Sequence, residues 1–145
     1  MADNTPVDPY QSYRFRIELE GLQRAGFSEA AGLDVTNDVV EYREGNAKET
    51  TTRKLAGLTK YSNISLKSGI TDDKTLWEWK QTTIDGKTQR KTGSIILLDD
   101  AGEEKLRWNF HRGWILSWKG PSFNATANAV AIEAIEIAHE GIVKA

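Results

Sequence analysis

Residues that could carry out chemistry are few in this chain, and their spacing does not match a phosphate-binding loop. Asp85-Gly86-Lys87-Thr88 contains the Gly-Lys-Thr of such a loop. The loop also needs a glycine five residues before Gly86, where this chain has Gln81, and it opens a helix. The segment here is predicted to follow a helix instead. We therefore expect no nucleotide site.

Metal-binding and nucleophilic arrangements are equally incomplete. The acids between Asp99 and Glu104 could attract calcium, but Ala101 stands at a position where a calcium loop needs a ligand. His111 and His139 are the only histidines, so an all-histidine catalytic zinc site is impossible. No Gly-x-Ser-x-Gly elbow occurs. The sequence predicts no catalytic residue, no metal, no cofactor and no enzymatic activity.

Composition narrows the class of protein further. The chain has 145 residues, which is typical of one domain, and 19 basic against 21 acidic side chains. This balance lacks the basic footprint of nucleic-acid binding, so sequence-specific binding of nucleic acid is not expected. The absence of cysteine excludes disulfides and thiolate sites.

The sequence predicts no signal peptide and no membrane-spanning stretch. The N-terminal residues lack the basic and apolar regions of a signal peptide. The most apolar stretch, Ala125 to Val143, contains three glutamates, so we do not expect it to enter a membrane. Synthesis and folding in the cytoplasm of the producing cell are therefore predicted.

The secondary-structure elements predicted from the sequence are mostly strands. Strict alternation from Tyr13 to Glu20 predicts a half-buried strand, and the apolar run from Ser94 to Leu98 predicts a strand covered on both faces. Asp99 to Gly102 predicts the turn of a β-hairpin. A helix is predicted over residues 72–84, with Thr71 or Asp72 as its N-cap. Residues 1–12 are expected to form an N-terminal arm.

Five tryptophans allow two interpretations. Trp108, Trp114 and Trp118 are separated from Phe110 by even numbers of residues, which predicts that they share its strand face and pack in a core or an interface. Gly113, between them, is expected to mark a bulge. Exposed together, tryptophans could instead stack on sugars, so a monomeric β-sandwich carbohydrate-binding module is the alternative function. Trp77, on the predicted helix, points to a different side from Trp79 and is expected to meet a neighbour.

A long polar excursion is the most informative segment. In the segment between the strands predicted near Val40 and near Ile64, no apolar side chain occurs between Ala47 and Leu55. Excursions of this length are usually functional or disordered, and the threonine run favours an extended conformation. We therefore expect residues 44–58 to form an extended loop that contacts another molecule.

Seven segments in order along the chain resemble the inner tube proteins of contractile phage tails and related contractile injection systems. They are FSEAAGL from Phe27, EYREGN from Glu41, KLAGLTKY from Lys54, ISLKSG from Ile64, LWEW from Leu76, IILLDDAGE from Ile95 and AIEAIEIAHEGI from Ala131. Each segment alone is weakly specific, but together they span almost the whole chain.

This resemblance implies a mainly β fold, an antiparallel β-sandwich or barrel with one short flanking α-helix and a long extended arm, in a single domain over residues 1–145. It further implies a structural protein that forms stacked hexameric rings and provides a conduit for DNA or protein cargo. The implied partners are other copies of the chain, a contractile sheath, baseplate and spike proteins, and the cargo in the lumen. No membrane partner is expected.

Candidate contact residues follow from the same resemblance, from the polar excursion and from the spacing of the predicted helix. The subunit interface is predicted to include Tyr42, Arg43, Glu44, Asn46, Lys54, Leu55, Leu58, Tyr61 and Trp77. Acids on wet strand faces are candidates to line the lumen: Glu18, Glu20, Glu133 and Glu136. A repulsive or mixed wall suits a channel, since an attractive wall repeated in every subunit would trap cargo.

Overall fold

A computed structural model describes residues 14–20, 22–24, 27–46, 50–69, 74–126 and 131–145, with the backbone alone for residues 22–24. The predicted N-terminal arm, residues 1–12, lies outside the described residues. In the described part of the chain, the elements are β1 (Phe15–Leu19), β2 (Leu22–Arg24), β3 (Phe27–Ala31), β4 (Val35–Tyr42), β5 (Arg53–Tyr61), β6 (Ile64–Gly69), α1 (Thr75–Ile84), β7 (Lys91–Leu98), β8 (Glu104–Lys119), β9 (Ile132–Ala138) and β10 (Gly141–Lys144).

The strands form one antiparallel sheet that turns back on itself at β8, plus a separate pair. The strand order is β2-β1-β7-β8-β9-β6-β3, and β10 also pairs with β8. The first part of β8 pairs with β7 and its second part, from Trp114, pairs with β9. β3 thereby comes to face β1 and β7 across a cleft. This is the mainly β, antiparallel fold with one flanking helix that the sequence predicts.

Alternating apolar residues build the core between the two halves of the sheet. Ile17 and Leu19 on β1 are buried, as the alternation predicts, and Phe110 on β8 is among the largest fully buried side chains. Their partners come from every large strand around the core and from α1: Phe27, Ile64, Leu66, Leu76, Trp79, Ile95, Ile115, Ile135 and Ile137. Burial of this apolar surface is the main force that holds the sheet halves together.

Ile96 is fully buried although it lies on the side of β7 opposite the core. Its cross-strand neighbours are Arg16 on β1 and Arg107 on β8. Arginine side chains can cover apolar surface with their methylene groups while their charged ends stay in water. The prediction that the 94–98 strand is covered on both faces is therefore confirmed at its centre.

Two irregularities in β8 correct the predicted placement of its tryptophans. The register with β7 shifts opposite Phe110–Gly113, and Arg112 has a positive φ of 53°. A bulge thus lies next to Gly113, as expected, but Ile115 is the buried residue beyond it, so Trp114 and Leu116 do not share the Phe110 face. A second shift between Ile115 and Ser117 returns Trp118 to the core side.

Helix α1 buries one stripe and exposes another, as predicted. Leu76 and Trp79 are buried, and Trp79 Nε1 donates to the carbonyl of Gln89 at 2.8 Å. Lys74 is the N-cap residue and makes no side-chain capping bond, whereas the predicted caps Thr71 and Asp72 lie outside the described residues. The helix ends at Ile84, where its predicted end lies.

The turn between β7 and β8 is organised by Asp99. Its Oδ1 accepts hydrogen bonds from the backbone N–H groups of Ala101 and Glu103, and Lys105 lies 3.5 Å from its Oδ2. Gly102 has a φ of 81°, which confirms the predicted position of the glycine. The Glu103 N–H, with further help from Lys105, holds the pKa of Asp99 below its usual value of 3.8.

This lowered pKa makes the turn sensitive to acid. A carboxyl whose pKa is lower in the folded state stabilises the protein above its unfolded pKa, and the contribution disappears as the pH falls through the folded pKa. Asp99→Asn keeps an acceptor oxygen but removes the charge, so it should lower the melting temperature at pH 7 and lose this effect at about pH 2. Thermal melts across this pH range are the measurement. Glu103→Gln in the same turn is the control, and an equal effect at both pH values would contradict the prediction.

Candidate interaction surface

The segment expected to be an extended loop belongs to a β-hairpin. β4 and β5 pair in antiparallel register from Val35↔Tyr61 to Tyr42↔Arg53, and they form a two-stranded sheet separate from the main one. We call β4, β5 and residues 43–46 and 50–52 between them the projecting hairpin. The predicted loop over residues 44–58 therefore begins at the tip and includes two thirds of β5, which corrects the prediction. The polar residues on β5 interrupt the alternation by which a strand is recognised.

Apolar side chains are exposed on both faces of the projecting hairpin. Six of the eleven exposed large apolar residues in the described part of the chain lie there: Val35, Val39, Val40, Tyr42, Leu55 and Leu58. Side chains alternate between the faces of a strand, so Val39 and Val40 point to opposite sides. Leu58, at a register irregularity, is 74% exposed. An isolated two-stranded hairpin is at best marginally stable in water, so both faces call for a covering partner.

The predicted interface residues are partly gathered on this hairpin. Tyr42 and Leu55 fall on the same face because Leu55 is directly opposite Val40, two residues from Tyr42. Lys54 is opposite Glu41, and Arg43, Glu44 and Asn46 are exposed at the tip. An ion pair between Asp38 and Lys60 at 3.2 Å crosses the strands nearer the root.

Tyr61 and Trp77 lie away from the tip. Tyr61 ends β5 at the root, half-buried, with its ring 5.7 Å from that of His139. Trp77 is half-exposed on α1 and packs edge-to-face against Trp118, with ring centroids 5.2 Å apart. The structure therefore does not bring Trp77 together with the hairpin residues within the subunit.

The four predicted lumen acids do not share one face. Glu18 lies on β1, whereas Glu20 follows the end of β1 with a positive φ of 43°. Glu133 and Glu136 are three residues apart and point to opposite sides of β9. Glu133 points to the same side of β9 as the buried Ile135. Glu136 lies instead on the outer side, in a shallow groove with Lys67 and Lys119.

Glu18 is neutralised by a neighbouring arginine. Arg107 Nη1 donates to Glu18 Oε2 at 2.9 Å and to Ser94 Oγ at 3.1 Å, while its Nε and Nη2 donate to Glu104. The hydrogen bonds to Glu104 and Glu18 raise the pKa of Arg107, and Arg107 in turn lowers the pKa of Glu104. Glu20 has a separate partner, because its Oε1 accepts from the Thr92 backbone N–H at 3.2 Å.

Within the described ranges, no three His, Asp or Glu side chains lie together in a way that could hold a metal ion. Lys87 follows α1 and its N–H bonds to the Thr82 carbonyl, so the Gly-Lys-Thr string ends a helix. His139 Nε2 lies 2.9 Å from the carbonyl oxygen of Ser62.

A flat aromatic platform for sugars is also not formed by the five tryptophans. Trp79 is buried, and Trp77 and Trp118 are nearly perpendicular at 82°. Trp108 lines a cleft of about 460 Å³ between the sheet halves, together with Phe15, Leu33 and Leu97. This geometry does not favour the carbohydrate-binding alternative, since stacking on a sugar needs an exposed ring face.

Sequence reasoning missed part of this surface. Val35, Val39 and Val40 are exposed on the projecting hairpin, yet such residues normally indicate a half-buried strand. The sequence of β4, VTNDVVEY, has apolar residues at both odd and even positions, and this pattern could have indicated apolar side chains on both faces. Phe123, 81% exposed after β8, had no comparable signal.

None of the described helices is long and apolar enough to cross a membrane.

Comparison with known proteins gives consistent results. The family model described as T4-like virus tail tube protein gp19 matches residues 11–143. The chain is similar to one in the cryo-EM structure of the sheath-tube complex of an extracellular contractile injection system, PVC, in its extended state. The two chains share 28% identity over 94% of this chain and 91% of that chain, with a TM-score of 0.84. A chain of the anti-feeding prophage tube terminating cap shares 30% identity over 99% of this chain and 95% of its own, with a TM-score of 0.84.

A more distant similarity concerns the fold alone. Hcp1 from Flavobacterium johnsoniae shares 16% identity over 91% of this chain and 94% of its own, with a TM-score of 0.56. Comparison with curated proteins gave no match.

Proposed function

This chain belongs to the T4-like virus tail tube protein gp19 family, and we propose on this basis that it assembles into hexameric rings that stack into the inner tube of a contractile particle. It is a structural tube protein of the contractile tail and injection-system type. The tube would serve as a conduit for DNA or protein cargo and would need no catalytic turnover. The whole chain would act as a single tail-tube domain.

The observation that carries this proposal is the projecting hairpin with apolar side chains on both faces. Full burial of one large apolar side chain contributes roughly 1.5–3 kcal/mol. Contacts by Val40, Leu55 and Leu58 with a neighbouring subunit would therefore contribute several such increments per copy. We propose that the hairpin, with its tip residues Arg43 to Asn46, packs on adjacent subunits, and that Trp77 contributes a second contact from α1.

In the described part of the chain, the sheet has one edge that is protected from pairing and others that are open to it. The second part of β8 has lost β7 as a neighbour, and Lys80 Nζ donates to the carbonyls of Ile115 and Leu116 there, each at 3.3 Å. This edge is therefore occupied by a charged side chain, a common protection against unwanted pairing. The outer edges of β3 and β10 carry no strand partner among the described residues. We propose that these edges take part in joining subunits around a ring.

The partners follow from the particles that contain similar chains, namely a sheath-tube complex, a tube terminating cap and a baseplate. We propose that a contractile sheath surrounds this tube and that baseplate and spike proteins close its tip. The chain would be made in the cytoplasm of the producing cell and incorporated into a phage tail or injection particle, without insertion into a membrane.

The lumen is proposed to have a mixed charge. The groove around Glu136 combines this acid with Lys67, Lys119 and small residues, and Glu18 is paired with Arg107. A wall of alternating signs and small side chains would hold a passing polymer weakly.

Purified full-length protein tests both proposals. Negative-stain images and sedimentation at rising concentration should show six-fold rings or stacked tubes, and a ring reconstruction should show both signs of charge along the bore. A monodisperse monomer at high concentration, also after addition of sheath protein, would overturn the assembly proposal. Tight, salt-sensitive binding of DNA to assembled tubes would contradict the mixed lining.

A further inference from the structure

The projecting hairpin continues a ribbon that starts inside the main sheet. β3 pairs with β6 up to Ala31↔Ser65, and β4 pairs with β5 from Val35↔Tyr61 onward. Between these two ladders lie residues 32–34 on one side of the ribbon and 62–64 on the other. Gly32 has a φ of +95° at this break. The ribbon therefore leaves the main sheet at the break, and the orientation of the hairpin depends on the contacts made there.

Ser62 ties the two strands of the break to each other. Its Oγ donates to the carbonyl of Gly32 at 2.8 Å, and its backbone N–H donates to the carbonyl of Asp34 at 3.2 Å. Both bonds lie within the ribbon, so they shape the break but do not attach it to the rest of the sheet.

His139 supplies the attachment to the main sheet. The ladder between β6 and β9 ends at Ile64↔Ile137, so His139 follows two residues later, level with Ser62 on the other strand. Its Nε2 lies 2.9 Å from the Ser62 carbonyl oxygen. The hydrogen bond between the imidazole and Ser62 thus connects the two strands beyond the point where their backbone pairing ends.

The contacts of the ring define its hydrogen position. A carbonyl oxygen only accepts hydrogen bonds, so Nε2 must carry the hydrogen and donate it. Nδ1 is buried and has no hydrogen-bond partner. The ring packs near Tyr61 on the hairpin at 5.7 Å and Phe110 in the core at 6.1 Å. The imidazole therefore lies between the hairpin root and the core and can make one bond there, to Ser62.

We propose that His139 is a positioning residue that fixes the direction of the projecting hairpin in the free subunit, before any neighbour binds. Among the described residues, β4 and β5 pair only with each other, so no ladder beyond the root restrains them. A hairpin held in its bound direction loses less conformational freedom on association, which favours binding. This inference rests on the proposed role of the hairpin in assembly.

Spin labels can measure the direction of the hairpin directly. The chain has no cysteine, so Asn46→Cys at the tip and Ala101→Cys in the β7–β8 turn give one defined pair of labels. Double electron–electron resonance on dilute, unassembled full-length protein should give one narrow distance distribution. His139→Phe keeps an aromatic ring but loses the donor, and it should broaden this distribution. His139→Gln restores an N–H donor and should narrow it again.

Assembly kinetics and nitrogen-15 chemical shifts give two further readouts. Tube formation by His139→Phe should be slower by about tenfold, the size expected for one lost hydrogen bond, and His139→Gln should recover most of the rate. The shifts of His139 should report hydrogen on Nε2. His111→Phe, which changes the only other histidine, is the control and should leave all three readouts unchanged.

The outcomes separate this inference from the proposed function. Equally narrow distributions in the wild type and His139→Phe would overturn the positioning role, whether or not tubes form. A broad distribution in His139→Phe with tubes formed at the wild-type rate would support the positioning role and count against the hairpin as an assembly contact. Failure of His139→Gln to restore the narrow distribution would overturn the assignment to the hydrogen bond.

Discussion

Leu58→Glu should abolish ring and tube formation while leaving the fold of the subunit intact. Leu58 is 74% exposed in the subunit, so a glutamate there meets mostly water before assembly. In an apolar contact with a neighbour, the same carboxylate would have to be desolvated at a penalty of several kcal/mol. The penalty would recur at every copy of the contact, so its effect on a tube should be far larger than on one pair of subunits.

A second substitution and a matched control sharpen this test. Val40→Glu on the same hairpin should also prevent assembly, whereas Thr88→Glu, in the exposed segment after α1, should not. Circular dichroism should give the same β-rich spectrum for all three variants, and negative-stain images should show tubes only for Thr88→Glu. Normal tubes from both hairpin variants would mean that the exposed apolar residues do not contact a neighbour.

Gly32→Ala should destabilise the subunit by about 2–5 kcal/mol, the sum expected for an unfavourable positive φ and an overpacked contact. A Cβ atom at this position would lie 2.0 Å from the backbone oxygen of Asn63, and φ is +95°. Because the obstructing atom belongs to the backbone, no side-chain rotation relieves the contact. The melting temperature should fall by roughly 10 °C in a protein of this size.

Gly120→Ala provides the matched control for the glycine effect. No heavy atom lies within 4 Å of a Cβ built at Gly120, and its φ is not positive. Its melting temperature should therefore equal that of the wild type or rise slightly, since alanine restricts the unfolded chain. Similar stability of the two variants, measured by thermal or denaturant unfolding, would show that the break at Gly32 can rearrange at low energy.

Local patterns predicted the elements in which neighbouring residues alone fix the geometry. The alternation around Ile17 identified a half-buried strand, and Asp99 to Gly102 identified a turn with glycine at a positive φ. The two stripes of the helix, with Trp79 inward and Trp77 outward, also followed from sequence spacing. These features depend on the two-residue and 3.6-residue periods of the backbone, which do not require knowledge of distant partners.

Interface candidates could be predicted only in part. Leu55, Leu58 and Tyr42 stood out because they are apolar residues beside a polar stretch, and the structure places all three on the projecting hairpin. The exposed valines of β4 did not stand out, because a strand pattern cannot reveal that a strand pair stands apart from the main sheet.

The sequence by itself determined the absence of a recognisable catalytic pattern, the strand-rich composition and the family resemblance. Tertiary structure alone decided that β4 and β5 project as a hairpin, that the buried positions of β8 change from even to odd numbers after Arg112, and that Glu18 faces Arg107. It also placed His139 against Ser62, 77 positions away. The physical reason is that a register shift or a long-range hydrogen bond depends on which strands pair, and the pairing is set by the free energy of the whole sheet. The alternation of apolar and polar residues, in contrast, reflects the geometry of a single strand.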